Sequence, residues 1–330
     1  MRRKAKVILL VAVALLMAGC DGVQSALAPE GLHAERSAFL FWTMAIGATA
    51  IFVALIGLTA FALLAPRRSR RWMAQQPMLF GAGVVFPVVT LSFLLVYGFV
   101  VTGAPAPGGG DARSIRIAVD GRRWWWQVTY WDEDNLPVVT ANELRIPAGQ
   151  TVAIELTSAD VIHSFWIPKL AGKLDMIPGR VNVLTLNARG TGVMRGQCAE
   201  YCGGAHALMS FNVVVMTPEA FRAWLRQERS PAQAPANSLA RQGKALFFTA
   251  GCSACHAIRG TAAANELGPD LTHVGGRTSI GAATLGVDKA DFARWISDNQ
   301  RIKPGNLMPD YGIFTPDQLE ALASYLAGLQ

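Results

Sequence analysis

Gln197-Cys198-Ala199-Glu200-Tyr201-Cys202-Gly203-Gly204-Ala205-His206-Ala207-Leu208-Met209 gathers two cysteines, a histidine and a methionine in one short stretch. A second histidine stands upstream in His163-Ser164-Phe165-Trp166-Ile167-Pro168. Thiolate, thioether and imidazole together make a soft donor set of the kind copper takes. Gly203-Gly204 lets the chain turn tightly between the cysteines and His206. On these residues alone two other readings stay open: a structural zinc site and a Cys198–Cys202 disulfide. Zinc motifs space their ligands differently, as C-x₂-C or H-x₃₋₅-H, and use Cys, His and carboxylates rather than Met.

Outward from that stretch, residues 114–215 read as a series of short strands: Ser114–Val119, Trp124–Tyr130, Glu143–Ile146, Thr151–Thr157, Val181–Leu186 and Phe211–Val215. Short strands separated by turn residues predict a β-sandwich or barrel. In Trp124-Trp125-Trp126 alternate members should point to opposite faces, with one or two in the core. Pro218–Arg229 predicts a short amphipathic helix with Phe221, Trp224 and Leu225 on one face. The Pro- and Ala-rich spacer Ser230–Asn237 that follows cannot form a core.

The N-terminal third has a different composition. The chain is 330 residues long, 52% hydrophobic, with a net charge of +7. Residues 39–64 and 79–102 carry no charge. At ~1.5 Å per residue the first reaches ~39 Å, enough to cross a ~30 Å hydrocarbon core with some tilt. Pro87 predicts a mild kink in the second, which membrane helices tolerate. Between them Pro66-Arg67-Arg68-Ser69-Arg70-Arg71-Trp72 places four arginines in a short loop, which assigns the loop to the cytoplasm. Residues 105–330 hold 21 basic and 20 acidic side chains, so the basic excess flanks the membrane and does not form a nucleic-acid face. Residues 1–20 read as a basic start, an apolar run Val7–Leu16 and small residues before Cys20. This resembles a bacterial lipoprotein signal, with cleavage before Cys20 and lipid on its thiol.

Behind the spacer, residues 238–330 contain Gly251-Cys252-Ser253-Ala254-Cys255-His256, a C-x-x-C-H haem-attachment motif. The thiols of Cys252 and Cys255 suit covalent attachment, and His256 can reach the iron. A thioredoxin-like pair is the competitor, but it gives no reason for the adjacent histidine. Leu307-Met308-Pro309 precedes a helix opened by Thr315-Pro316-Asp317-Gln318, a capping box with proline at its first position. This layout resembles class I cytochrome c. The resemblance implies that Met308 is the second axial ligand and that the Pro269 carbonyl in Gly268-Pro269-Asp270-Leu271 braces His256. His33 and His273 read as ordinary polar residues.

The run His163 to Met209, with Lys173-Leu174-Asp175-Met176-Ile177-Pro178-Gly179-Arg180 between, resembles subunit II of haem–copper cytochrome c oxidases. The likeness extends from about Phe39 to Val215. It implies a cupredoxin-like fold holding a binuclear copper A centre. Cys198 and Cys202 would bridge the metals and His163 and His206 would cap them. Met209 and the Glu200 carbonyl would be weak axial donors. It further implies that the Glu200 carboxylate reaches a Mg²⁺ or Mn²⁺ at the boundary with subunit I, where Asp175 and Arg180 make contact. Trp124 matches the tryptophan through which such subunits receive electrons. The chain is thus expected to be multidomain, with signal 1–19, transmembrane hairpin 20–104, cupredoxin-like domain 105–227, linker 228–237 and a small all-α cytochrome c domain 238–330. Its expected partners are subunits I and III, membrane lipid and an external cytochrome c or other donor, at the outer side of a bacterial inner membrane. Its expected task is electron transfer to subunit I for O₂ reduction and proton pumping. A copper-containing nitric-oxide or nitrous-oxide reductase component is the rival reading.

Overall fold

The computed structural model describes residues 21–103, 115–131 and 135–330. Residues 1–20, which include the expected signal and Cys20, lie outside the described residues. Two helices are long and apolar enough to cross a membrane, α1 (Leu32–Leu64) and α2 (Gln76–Thr102). Their large side chains, such as Phe52, Leu63, Phe93 and Phe99, face outward. Hydroxyls within them are satisfied internally, with Thr43, Thr49 and Thr59 each donating to the carbonyl one turn back. That satisfies groups for which lipid offers no partner. α1 begins seven residues before the expected start. His33, Glu35 and Arg36 mask this turn from a hydropathy reading while leaving it helical. Where a kink was expected, α2 makes a π-turn over Gly81–Val85, with Phe86 N donating to Gly81 O. It comes just before Pro87, which has no N–H to give the ladder.

Ten strands build a two-sheet sandwich. The first sheet has the order β3-β2-β1-β5-β8, from β1 (Ile115–Arg122), β2 (Trp125–Trp131), β3 (Pro137–Ala141), β5 (Thr151–Ser158) and β8 (Asn182–Asn187). The second has the order β4-β10-β9-β6-β7, from β4 (Glu143–Pro147), β6 (His163–Trp166), β7 (Leu174–Met176), β9 (Gly192–Cys198) and β10 (Ser210–Met216). β1 and β2 bury alternate residues, as one-faced strands must. Trp126, Val128 and Tyr130 point into the core that both sheets share. Trp125 turns to the other face, where the Arg122 guanidinium lies 5.3 Å from its ring. Phe165 and Phe211 stack at 4.7 Å, and Trp126 meets both edge-on. Gly196 makes room for this group, because a Cβ there would sit 2.1 Å from the Phe211 ring. Residues 21–31, expected with the hairpin, follow the sandwich instead: Gly31 bridges to Ala188, and Arg195 N donates to Val23 O.

The amphipathic helix α3 (Pro218–Arg229) forms over the span expected, capped by Thr217, with Phe221 and Trp224 against Tyr130. The last domain is helical, from α4 (Ser238–Thr249), α5 (Lys289–Ile302) and α6 (Pro316–Ala327). α4 and α6 approach so closely at Gly243 that a Cβ would lie 1.9 Å from Ala321 O. Phe247 meets Tyr325 edge-on beside this crossing. The capping box on α6 is present with both of its reciprocal bonds.

Candidate functional site

The loop between β9 and β10 carries the cysteine motif, as expected. Cys198 N donates to Met209 O and Ala199 N to Ser164 O, so the loop closes on itself and on β6. Gly203 takes φ +117°, a conformation that favours glycine, and a Cβ there would stand 3.0 Å from the Trp124 ring. The result brings all the expected donors together. Cys198 and Cys202 Sγ are 3.8 Å apart. His163 Nδ1 lies 3.9 Å from Cys198 Sγ, and His206 Nδ1 lies 3.5 Å from Cys202 Sγ. Met209 Sδ is 3.8 Å from Cys202 Sγ, and Glu200 O is 3.2 Å from Cys198 Sγ.

This geometry separates the open readings. Both cysteines are free thiols, and their sulfurs stand well beyond the ~2.05 Å of a disulfide. Each imidazole lies beside a different sulfur, and a buried thioether and a carbonyl add two further donors. Six donors, the sulfur pair and four around it, exceed what one tetrahedral zinc uses. They fit two soft ions sharing the sulfurs.

The surroundings orient these ligands. His163 Nε2 donates to Asp160 Oδ1 at 2.8 Å, which leaves Nδ1 toward Cys198. Gly121 on β1 lies flat under this ring, since a Cβ there would come within 2.8 Å of His163 Cδ2. Burial alone would raise the Asp160 carboxyl, but bonds from Arg123 N, His163 and Val161 N outweigh it and hold the group below its ordinary value. The neighbouring Cys202 sulfur, with His163 and nearby backbone groups, draws the Cys198 thiol down to about 3 against its burial. Cys202 is pushed up in turn, first by its hydrogen bond to the Cys198 sulfur and then by burial. The pair gives up one proton readily and holds the second until a cation replaces it.

Asp160→Ala is expected to weaken copper retention by about 10- to 100-fold, the usual effect of removing an orienting carboxylate. Chelator competition followed by the copper absorbance measures it, and retention equal to the parent chain would deny Asp160 this role. The Glu200 carboxylate points elsewhere, joining Asp175 around Lys173 at 3.1 Å in an exposed cluster. Arg180 is exposed nearby in sequence.

In the helical domain Cys252 and Cys255 are free thiols; Cys252 opens the 3₁₀ turn Cys252–Ala254 and Cys255 caps it. His256 Nδ1 donates to Pro269 O at 2.7 Å, as expected, which leaves Nε2 open. Gly268 lies against this ring, and a Cβ there would stand 2.7 Å from His256 Cε1. Burial lowers the pKa of His256, which favours the neutral, metal-binding form. Met308 is half-buried on a loop held by α5. Gln300 donates to Met308 O and Asn306 O, Asn299 donates to Pro309 O, and Met308 N donates to Asn306 Oδ1. Burial, then the two nearby thiols, raise the Tyr311 hydroxyl, and Tyr311, Met308 and Cys252 pack against one apolar core. Two thiols, an open imidazole and a thioether gathered about one apolar core form a donor set that fits a covalently held haem.

The two domains meet at Trp124. This residue, matched to the electron-receiving tryptophan of the family, is 9% exposed. Its Nε1 donates to Cys202 O at 3.0 Å, and the backbone at Gly305 of the helical domain lies over its ring. Lys303 Nζ donates to Trp124 O at 2.5 Å and Leu208 O at 3.0 Å in the copper-type domain, and to Gly281 O at 3.2 Å in its own. Further bonds run from Arg122 to Glu266 O, from Arg145 to Gly276 O and from Thr278 N to Glu143. Arg259 reaches Val139 O and Glu228 O while pairing with Asp270 at 2.8 Å. His273, read as an ordinary polar residue, is 3% exposed and donates to Ser230 O, which ties the spacer down.

The sequence reading missed Asp160, Gly121 and Lys303. An acidic residue three positions before a ligand histidine was a readable signal for Asp160. Nothing local marks Lys303, whose role exists only when the domains meet.

The model for the periplasmic domain of cytochrome c oxidase subunit II matches residues 134–216, and the cytochrome c model matches residues 240–330. Cytochrome c oxidase subunit 2 of Alkalihalophilus pseudofirmus is 33% identical over 336 residues, covering 96% of this chain and 94% of that protein. Its counterpart in Bacillus subtilis is 30% identical over 353 residues, covering 98% and 97%. The solved periplasmic domain of subunit II from Bradyrhizobium japonicum is 30% identical over 35% of this chain and 93% of its own, with a TM-score of 0.33. Matched from hairpin to last helix, the chain belongs to the cytochrome c oxidase subunit 2 family, in the form that carries a cytochrome c domain behind its β-sandwich.

Proposed function

We propose that this chain accepts electrons in its cytochrome c domain and delivers them from its cupredoxin-like domain to subunit I, which reduces O₂ and pumps protons. The observation that carries the reading is the convergence of two imidazoles, a thioether and a carbonyl around one sulfur pair. His163, Cys198, Cys202, His206, Met209 and the Glu200 carbonyl would hold a binuclear copper A centre. Cys252 and Cys255 would hold the haem, with His256 and Met308 as its axial ligands. When bound, these groups supply one-electron redox chemistry at two potentials set by their ligands.

The residues of the chain do the rest. Asp160 and Pro269 fix the ring orientation of His163 and His256. The stacked Phe165 and Phe211 keep water from beneath the sulfur pair. The side chain of Glu200 is this chain's contribution to a Mg²⁺ or Mn²⁺ site at the boundary with subunit I, where Asp175 and Arg180 make contact. Trp124 remains the residue through which electrons reach the copper loop, now supplied from within the chain. Lipid on Cys20, an outward N-terminus, subunit III and an external cytochrome c complete the proposed assembly. The domain limits 105–227 and 238–330 follow the same reading.

Purification with the large subunit tests it. With a reduced c-type donor, O₂ uptake and proton release are the expected result. Consumption of NO or N₂O without O₂ uptake would replace the oxidase by the reductase reading.

A further inference from the structure

We infer that Lys303 is the residue that positions the haem domain for internal electron transfer, by pegging the Met308-bearing loop onto the Trp124 face of the copper domain. This inference rests on the proposed route from haem to copper. Lys303 closes α5 and is 3% exposed. A buried ammonium is costly unless each hydrogen finds an acceptor. Here three carbonyls supply them, and no carboxylate is bonded to it. Two of the three belong to the other domain, at Trp124 and at Leu208, the residue before the Met209 ligand. One side chain therefore grips the copper domain at two points, Trp124 and the end of the metal loop.

The placement has a direct consequence two residues on. Gly305, at φ +78°, brings its backbone against the Trp124 ring, where a Cβ would stand 3.4 Å from Cη2. Trp124 in turn bonds the Cys202 carbonyl through its indole N–H. On the other side, Gly305 N bonds Gln300 Oε1, and Gln300 also holds Met308 O. Contacts thus run without a break from the methionine loop through Trp124 to a sulfur ligand. Other bridges lie elsewhere on the interface, some exposed, such as Arg122 to Glu266 O, and some buried, such as Thr278 N to the Glu143 carboxylate. Lys303 bonds Trp124 and the metal loop themselves, so it decides whether this contact path stays closed.

Lys303→Met in the full-length, haem- and copper-loaded chain tests the assignment. Its length suits the space, and it removes all three donors. Both potentials, haem content and copper content should match the parent chain. Internal transfer after rapid haem reduction should slow about tenfold, in proportion to the docked fraction. Amide exchange should quicken together in 203–209 and 303–308. Should this variant fail to take up haem, Lys303→Gln, which keeps amide donors at the same position, is read in the same way, with a smaller fall expected. Unchanged exchange and unchanged transfer with intact cofactors would overturn the inference. A parent chain that passes no electron from haem to copper would instead remove the functional reading, and the exchange measurement alone would still decide the peg.

Discussion

Cys202→Ser is expected to abolish copper binding and donor-driven O₂ uptake while leaving the covalent haem and its visible band intact. Cys202 Sγ is the hub of the cluster, 3.8 Å from Cys198, 3.5 Å from His206 and 3.8 Å from Met209. A serine hydroxyl is a hard, neutral donor and cannot share two soft ions as a thiolate does. Loss of an orienting group outside the ligand shell costs 10- to 100-fold in metal affinity, so loss of a shared ligand should exceed about 100-fold. The haem domain keeps its own apolar core around Phe247, Ile258, Leu322 and Tyr325, which the substitution does not touch. Metal analysis, near-infrared absorbance and an oxygen electrode measure the outcome. Equal loss of copper and haem would contradict two independently formed sites.

Met308→Ala should keep the haem attached but lower its reduction potential, by on the order of 0.1 V or more, within the range that axial ligands command. Attachment is assigned to Cys252 and Cys255, and the imidazole of His256 is set by Pro269, so neither requires Met308. The methionine loop is held by Asn299, Gln300 and Asn306 through backbone carbonyls and the Met308 N–H, so truncating the side chain leaves the loop in place. What disappears is the thioether. Potentiometric titration of the visible band reads the shift directly, and an unchanged potential would take Met308 off the ligand set.

The motifs were legible because their chemistry is local. Cys198 to Met209 and Cys252 to His256 carry their ligands within a few residues, and the folded loops bring together what the spacing promised. Thr315 to Gln318 was legible for the same reason, since a cap is decided by neighbours. Strands were harder to read. β3, β6, β7 and β9 were not foreseen. β6 and β7 are only four and three residues long, too short to show alternation. β9 carries Arg195, Gly196 and Gln197, which no strand propensity favours, and Gly196 is there because the Phe211 ring needs the room.

Trp124 shows the limit most clearly. Its position in the motif pointed to electron transfer, but its surroundings depend on Lys303 and Gly305, some 180 residues later. Contacts made only when two domains dock leave no periodic trace in either. The membrane hairpin stands at the other extreme, since composition alone exposes it. With family membership established, the two apolar helices mark a membrane protein that carries its metal-binding domains outside the bilayer.

The central claim is that residues 163–209 hold paired copper ions between two sulfurs. Metal analysis of the purified full-length chain, expressed without other subunits and fully loaded with haem, tests it most directly. The account predicts about two coppers for each haem, with a sulfur-to-copper absorbance that Cys202→Ser removes. A single zinc, or copper well below that ratio after reconstitution, would contradict it.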